Sequence, residues 1–423
     1  MQITMRFVTI FVILAIVPTL VVIASQTVSA PNKDLALVGA TIYVSPTEEP
    51  IRNGVVLISA GKIAAVGTRR QVKIAQSAQL MDCSGRTITA GFWNSHVHFI
   101  ERKWANARDI PADELGVQLQ EMLTRFGVTS VFDTGSDRQN TRTIRDRIEA
   151  GEVAGPKIQS TGPILYPKGI ADISDAQLQM LGFMKFSSPE INDAAQGHDE
   201  ATKLLDSGTD GIKLYAVPFF APTISIPESA IAAATAEAHR RGKLAFAHPT
   251  NRQGLLASIN NGVDIIVHTT PQSGPWDDTV VNAMRQRQVV LIPTLKLWRY
   301  EVRHDRFSVR ERFTQTGVGQ LRRWVASGGV VLFGTDVGYM SDYDPKEEYV
   351  LMGEAGMSFP QILASLTTAP AERFGQSKQL GRVAAGFQAD LVVLKGDPSK
   401  DIRALSDVQY TLRAGNIIYR ASQ

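Results

Sequence analysis

The chain of 423 residues holds a single cysteine, Cys83. A disulfide framework needs paired cysteines and a thiolate zinc site needs several, so both are excluded. There is no excess of one charge either. Lys and Arg number 44 against 41 Asp and Glu, a net charge of +3, and no block of like charge occurs. That balance excludes an electrostatic nucleic-acid binder. No collagen period, heptad run or short repeat is visible. Beyond residue 30 no apolar stretch reaches membrane-spanning length. What is present, 44% hydrophobic, 20% charged and 7% aromatic residues, is the composition of a folded protein. At roughly 100–200 residues per domain, the length implies two or three domains, or one large α/β barrel with an appendage.

The first thirty residues form a separate object. Met1 to Ala30 carries one charged side chain, Arg6, followed by an apolar run from Phe7 to Ala24 that Pro18 interrupts. Val22-Ile23-Ala24 and Val28-Ser29-Ala30 both offer small residues to a signal peptidase. Residues 1–30 therefore read as a secretory signal peptide, which places the mature protein in the periplasm or outside the cell. The competing reading is a retained membrane anchor, because about 18 apolar residues just span a bilayer. An uncleaved leader would be the chain's only membrane contact.

From Leu35 to about Thr89 short β runs alternate with turns, among them Leu37–Val44, Gly54–Ile58 and a hairpin start at Gly61-Lys62-Ile63. The C-terminal end returns to this texture, with a strand at Asp390–Leu394 and a hairpin turn at Ala414-Gly415. Chain ends tend to lie together, so residues 31–88 and 371–423 are expected to build one small β-sandwich domain. Between them, in residues 89–370, β runs alternate with helical ones. The strands end near His98, Asp133, Thr161, Tyr215, His248, His268, Thr294 and Asp336. Expected helices cover Glu114–Arg125, Thr141–Ala150, Glu228–Arg241, Arg252–Asn260, Asp278–Arg287 and Arg310–Ala326. Eight such units in about 280 residues predict a (β/α)8 TIM barrel. The interval from Gly162 to about Gly197 is long and is expected to be a lid or binding element.

Four of the seven histidines fall at these strand ends. His96 and His98 are two apart, so on a strand their rings share one side. His248, His268 and Asp336 each close an apolar strand, where a barrel places its active site. A buried imidazole or carboxylate there needs a partner, and a shared divalent ion would serve all five. Imidazole and carboxylate donors suit zinc. Lys213 ends the fourth strand and has two readings. It is either a rim lysine paired with Asp210 or Glu237, or an N-carboxylated lysine whose charge becomes −1 and whose two oxygens bridge two metals.

On these residues, Gly91–His98, Gly211-Ile212-Lys213, His248, His268, Gly334-Thr335-Asp336 and the tail Gly381–Leu394, the sequence resembles the amidohydrolase superfamily. The resemblance lies in the broad group containing imidazolonepropionase and the metal-dependent prolidases, and it covers nearly all of the mature chain. It implies that His96, His98 and Asp336 bind a buried metal, His248 and His268 a more exposed one, and carboxylated Lys213 both, with a shared hydroxide. It also implies two divalent ions of zinc type, a proton shuttle at Asp336, and an oligomeric state common among relatives. Single-metal members carry an acidic residue shortly after the fifth-strand histidine. Here Pro249, Thr250, Asn251 and Arg252 follow His248, which favours the two-metal branch.

Tyr215, two past Lys213, is expected on the same inward face as a substrate contact. Tyr339 and, for an anionic substrate end, Arg138 are further candidates. Trp104, Tyr166, Trp298 and Arg299 follow strand ends and could line an apolar pocket or pack under a lid. His239, His198 and His304 read as structural or surface residues, and Cys83 as an inert packed thiol. The expected function is hydrolysis of an amide bond in a small molecule such as a dipeptide or N-acyl amino acid. Alternatives at the same site are a lactone, carbamate or phosphotriester hydrolase, an imidazolonepropionase-like cyclic amidase, or a non-catalytic solute-binding protein.

Overall fold

β-Branched residues and left-handed turn positions set the outer sheet. In the computed structural model, which describes residues 34–217 and 225–422, Leu35–Ile42 pairs antiparallel with Ile51–Ser59, which pairs with Lys62–Thr68. The turn between the last two is Ala60-Gly61, with φ of 48° and 76°. The C-terminal hairpin between Val408–Arg413 and Asn416–Arg420 turns at Ala414-Gly415, with φ of 47° and 78°. Two successive positive-φ residues are what a tight right-twisted hairpin requires.

The two chain ends meet at Thr87–Ala90. That strand lies parallel to Leu35–Ile42 and antiparallel to Leu391–Leu394. Hydrogen bonding links eight strands into one mixed sheet, running from Asn416–Arg420 through Leu391–Leu394 and Leu35–Ile42 to Lys62–Thr68, with Gln79–Asp82 beside Leu35–Ile42. Leu37, Ile42, Val56, Ile88, Leu391 and Leu412 share one buried cluster there. Cys83 belongs to it, fully buried, and burial pushes its thiol up to about 11. The expected sandwich thus takes the form of a single hydrogen-bonded sheet around its own core.

The middle of the chain is parallel. Phe92–Val97, Val128–Asp133 and Lys157–Ser160 form one sheet, and Gly211–Leu214, Leu244–Ala247, Ile265–Val267 and Val290–Ile292 a second. Nearly every residue of these strands is buried, as parallel strands covered by helices demand. Among the described residues these strands do not join into one closed eight-stranded ladder, so of the expected barrel the structure shows the parallel strands and covering helices in two separate sheets. After Lys157–Ser160 the chain passes Gly162, at φ 67°, and Pro163, which has no N–H, and only Leu165 bridges to Leu214. The eighth segment also lacks a ladder. Leu291 bridges Val331, but Phe333 gives its N–H to Ser365 and Asp336 turns to φ 63°. Val97 then bridges Val337.

Helices start where side chains cap them. Asp137, Asp193, Asn251 and Asp277 each accept a backbone N–H three residues on, opening Arg138–Glu149, Ala194–Asp206, Arg252–Asn260 and Asp278–Gln286. Glu228–Arg240 follows Pro227 and stops before Gly242, at φ 64°. The long interval holds a helix, Ala171–Met180, and a pair of two-residue strands, Tyr166–Pro167 and Glu190–Ile191. The described residues belong to one compact unit. The signal-peptide segment lies outside the described residues. Among the described residues no helix is long and apolar enough to cross a membrane.

Candidate metal centre

The parallel strands deliver their last residues to one place. His96 closes Phe92–Val97 and His98 follows it; His268 follows Ile265–Val267; Asp336 ends the eighth segment. All four are buried, at 1%, 7%, 0% and 4% exposure. Asp336 Oδ1 lies 3.1 Å from His96 Nε2 and 3.0 Å from His98 Nε2, and Oδ2 is 4.0 Å from His268 Nε2. The His96 ring centroid is 4.9 Å from that of His98 and 4.8 Å from that of His268, which is 4.3 Å from that of His248. Donor atoms of His96, His268 and Asp336 all lie within 4.8 Å of one another.

Each of three imidazoles is fixed by its other nitrogen. His98 Nδ1 is 3.1 Å from the Gly135 carbonyl, so it must carry the proton and Nε2 the lone pair. Thr294 Oγ1 donates its proton to Pro293 O and lies 2.5 Å from His268 Nδ1, so it accepts from Nδ1–H and again leaves a lone pair on Nε2. His96 Nδ1 is 2.5 Å from Thr134 Oγ1. Outer-shell bonds of this kind orient histidines that bind metals.

Two more residues hold the frame. Asn94 donates to Thr335 Oγ1 and accepts from the Thr335 N–H, clamping the first strand to the segment that carries Asp336. Asp133 accepts from Ser136, Thr141 and Ser160, and Ser136 Oγ accepts from Phe99 N, which fixes the loop that presents Gly135 O to His98. Burial raises the Asp133 carboxyl against these bonds. Backbone strain gathers here too: His268, Thr294 and Asp336 have φ of 73°, 43° and 63°. For threonine in particular this is a costly region, held by its surroundings.

The electrostatics favour cation ligation. Burial is the largest influence on His96 and His248, followed by the Lys213 charge; His96 falls to about 3 and His248 well below its ordinary value. Burial also lowers His268. All three rings are therefore neutral, the state a metal requires. Burial alone would raise Asp336, but the adjacent His96 and then His98 hold it well below the carboxylate range. Lys213 is 1% exposed, and burial brings its ammonium down to about 7. Asp210 pairs with Arg145, and Glu237 with Arg240 and Arg241, so the rim salt-bridge reading of Lys213 falls.

His96 Nε2, His268 Nε2, Asp336 Oδ1 and Lys213 Nζ are all buried without a hydrogen-bond partner. The 3.1 Å approach of His96 to Asp336 is close but misaligned, so neither atom is satisfied by the other. Polar atoms stranded together at this cost have a common explanation in a shared cation. The donor set of imidazoles and a carboxylate fits zinc or a similar divalent ion.

A cavity of about 290 Å³ opens onto this cluster, and His98, His248 and Asp336 line it. Tyr215 and Tyr339, expected as substrate contacts, line it as well, as do Tyr166 and Trp298. Arg138 does not. It begins a helix and donates to Ser207 O, and it lines a separate small cleft. Trp104 is fully buried against Phe99, away from the cavity, and Arg299 pairs with Glu347 and Glu311. His239 pairs with Asp264, and His198 and His304 are exposed. Thr134, Thr294, Asn94 and the cavity residue Glu301 were not singled out in the sequence. Their only signal there is adjacency to a strand end or helix end, shared by many polar residues.

The amidohydrolase family pattern matches residues 87–419. The chain is 25% identical over 396 residues to an adenine deaminase of Rubrobacter xylanophilus, an alignment covering 89% of this chain and 55% of the deaminase. The chain thus spans about half the length of that relative. It is 21% identical over 422 residues to ochratoxinase of Aspergillus niger, covering 90% of this chain and 85% of the relative. A solved Xaa-Pro dipeptidase with bound methionine shares the fold, with a TM-score of 0.77 at 20% identity over 92% of this chain and all (100%) of the other. With a family match across most of its length and the expected residue types gathered at the strand ends, the chain belongs to the amidohydrolase family.

Proposed function

We propose that this protein hydrolyses an amide bond of a small molecule at a two-cation centre held by His96, His98, Lys213, His248, His268 and Asp336. One observation carries the reading: neutral imidazole nitrogens and an ionised carboxylate oxygen converge, buried and without hydrogen-bond partners, beside a cavity. His96, His98 and Asp336 would hold one cation, and His248 and His268 the other. When bound, such ions acidify a shared water and polarise the scissile carbonyl. Asp336 takes the proton of the attacking water and passes it to the leaving nitrogen. Tyr215, whose hydroxyl burial keeps protonated by raising it to about 12, donates to the substrate carbonyl.

Lys213 acts after modification. Its amine, with a pKa near 7, is substantially neutral and nucleophilic. The neutral Nζ bonds to the carbon of carbon dioxide and one amine proton leaves to solvent, so a neutral buried amine becomes a carbamate anion whose two oxygens would serve as ligands to the cations. The compact triad of His96, His268 and Asp336 favours a second reading, a single-ion centre without that bridge. Residues 89–370 would form the catalytic body and residues 31–88 with 371–423 the β domain, behind a leader of residues 1–30 that directs the mature chain to the periplasm or medium.

Zinc analysis joined to a substrate panel tests this. Two equivalents of zinc are expected, falling together with activity in Lys213→Ala and partly restored by short carboxylic acids. One equivalent, unchanged in that variant, would establish the single-ion reading. Turnover of lactones or phosphotriesters in preference to dipeptides and N-acyl amino acids would reassign the bond.

A further inference from the structure

Among the described residues, no lysine or arginine lines the cavity. Its walls are largely apolar, with Ile164, Leu178, Leu181, Phe186, Leu297 and Trp298. Apart from Asp336, the one carboxylate among the described lining residues is Glu301, at the end of the helix Leu295–Glu301. Residues 218–224, which follow Tyr215 in sequence, contain no charged residue of either sign. Arg138, the cation expected to read an anionic substrate end, is committed to Ser207 O.

A carboxylate reaching this cavity beyond the metal centre loses hydration and finds no cationic side chain among the described lining residues, while Glu301 repels it. An ammonium meets the opposite conditions. Glu301 stands at the open end, solvent-exposed, yet enough protein surrounds it that desolvation raises its carboxyl. Tyr339 donates to Glu301 Oε1 at 2.9 Å and fixes that oxygen, while no hydrogen bond is made to Oε2 among the described residues. The cation that acts on Glu301 is Arg303, which stacks on Tyr300 and is not among the residues lining the cavity.

We propose that the cavity selects amides without a free carboxylate, taking an apolar or aromatic body and seating a protonated amine against Glu301 and Tyr339. This rests on the amide-hydrolase reading and narrows its substrate class, away from free dipeptides and N-acyl amino acids.

The test uses the zinc-loaded full chain and three N-acyl anilides that differ in one ring substituent: aminomethyl, carboxamide or carboxylate. The expected order of kcat/KM is aminomethyl, then carboxamide, then carboxylate. Glu301→Gln should compress the ratio of the first to the second about fivefold, the scale of an exposed charge pair. Glu301→Arg should favour the carboxylate compound. Preference of the wild type for the carboxylate, or an unchanged aminomethyl-to-carboxamide ratio in Glu301→Gln, overturns the proposal. If none of the three is hydrolysed, the amide-hydrolase reading fails on its own. Their dissociation constants, measured by calorimetry, then decide recognition: the same order supports the proposal, and equal or reversed affinities overturn it.

Discussion

The imidazole of His268 is oriented by a hydroxyl whose own proton is already committed. Thr294 Oγ1 donates to Pro293 O and can only accept from His268 Nδ1. Thr294→Val keeps the shape and removes the acceptor. Zinc affinity should fall 10–100-fold, the usual cost of losing an outer-shell partner. Thr294→Ser should restore most of it, as measured by competition with a chelating dye. Asp336→Asn separates ligation from proton transfer, since one oxygen is kept and the basic site is lost. Turnover should drop by about 10²–10⁴ with zinc retained. Wild-type kcat in that variant would remove the shuttle. The gathering of His96, His98, His248, His268 and Asp336 was legible because each is a polar residue ending an apolar run, a pattern with few causes. Thr134, Thr294 and Asn94 were not, since nothing in the spacing of residue 134 from residue 96, or 294 from 268, announces a contact made only by adjacent strands.

Elements were legible where their own pattern decides them. The helix Arg252–Asn260 lies between the residues expected, and Glu228–Arg240 ends one residue early, because an Asn cap, a leading proline and a trailing glycine mark them. Helix Ala171–Met180 was read only as part of a long loop. It buries little, with Ile173 and Met180 50% and 89% exposed, so it lacks the strong periodicity that identifies a core helix. It is held instead by tertiary bonds: Asp175 accepts from Ser188 N and Oγ, both at 3.0 Å, and Glu190 accepts from Ala171 N. Leu178 and Leu181 carry this segment to the cavity wall. Asp175→Ala should therefore loosen the wall without touching the metal ligands. KM should rise about tenfold, with kcat within a factor of two and zinc content unchanged. Loss of zinc in this variant would show that the segment supports the centre itself. The broken ladder at Gly162-Pro163 belongs to this scale as well, since a proline fixes φ and removes a donor whatever the surrounding fold.

At the scale of the whole molecule, the joining of the two chain ends was legible from matching β texture, and the chemistry at their seam was not. Asp390 opens the strand Leu391–Leu394, its carbonyl accepts from Gly91 N at 2.7 Å, and its Oδ1 accepts from Ala414 N at 2.7 Å. It thereby ties the C-terminal hairpin to the start of the first parallel strand. Burial pushes its carboxyl up to about 6, against the Ala414 bond and the Arg413 and Lys157 charges. The folded protein therefore holds a proton on Asp390 at pH values where the unfolded chain, with an ordinary carboxyl near 3.8, has lost it. Stability contributed by this group is present in full below pH 3.8 and is lost as pH rises from 3.8 to about 6, then stays level. Asp390→Asn keeps the Oδ1 acceptor and abolishes the titration. Relative to wild type, the variant should gain stability with rising pH by about 1.4 kcal/mol per unit, reaching about 3 kcal/mol above pH 6. Urea unfolding of both proteins from pH 4 to pH 8 measures the difference. A gap that does not change with pH would mean that Asp390 is ionised in the folded seam, with the Arg413 and Lys157 charges outweighing its burial.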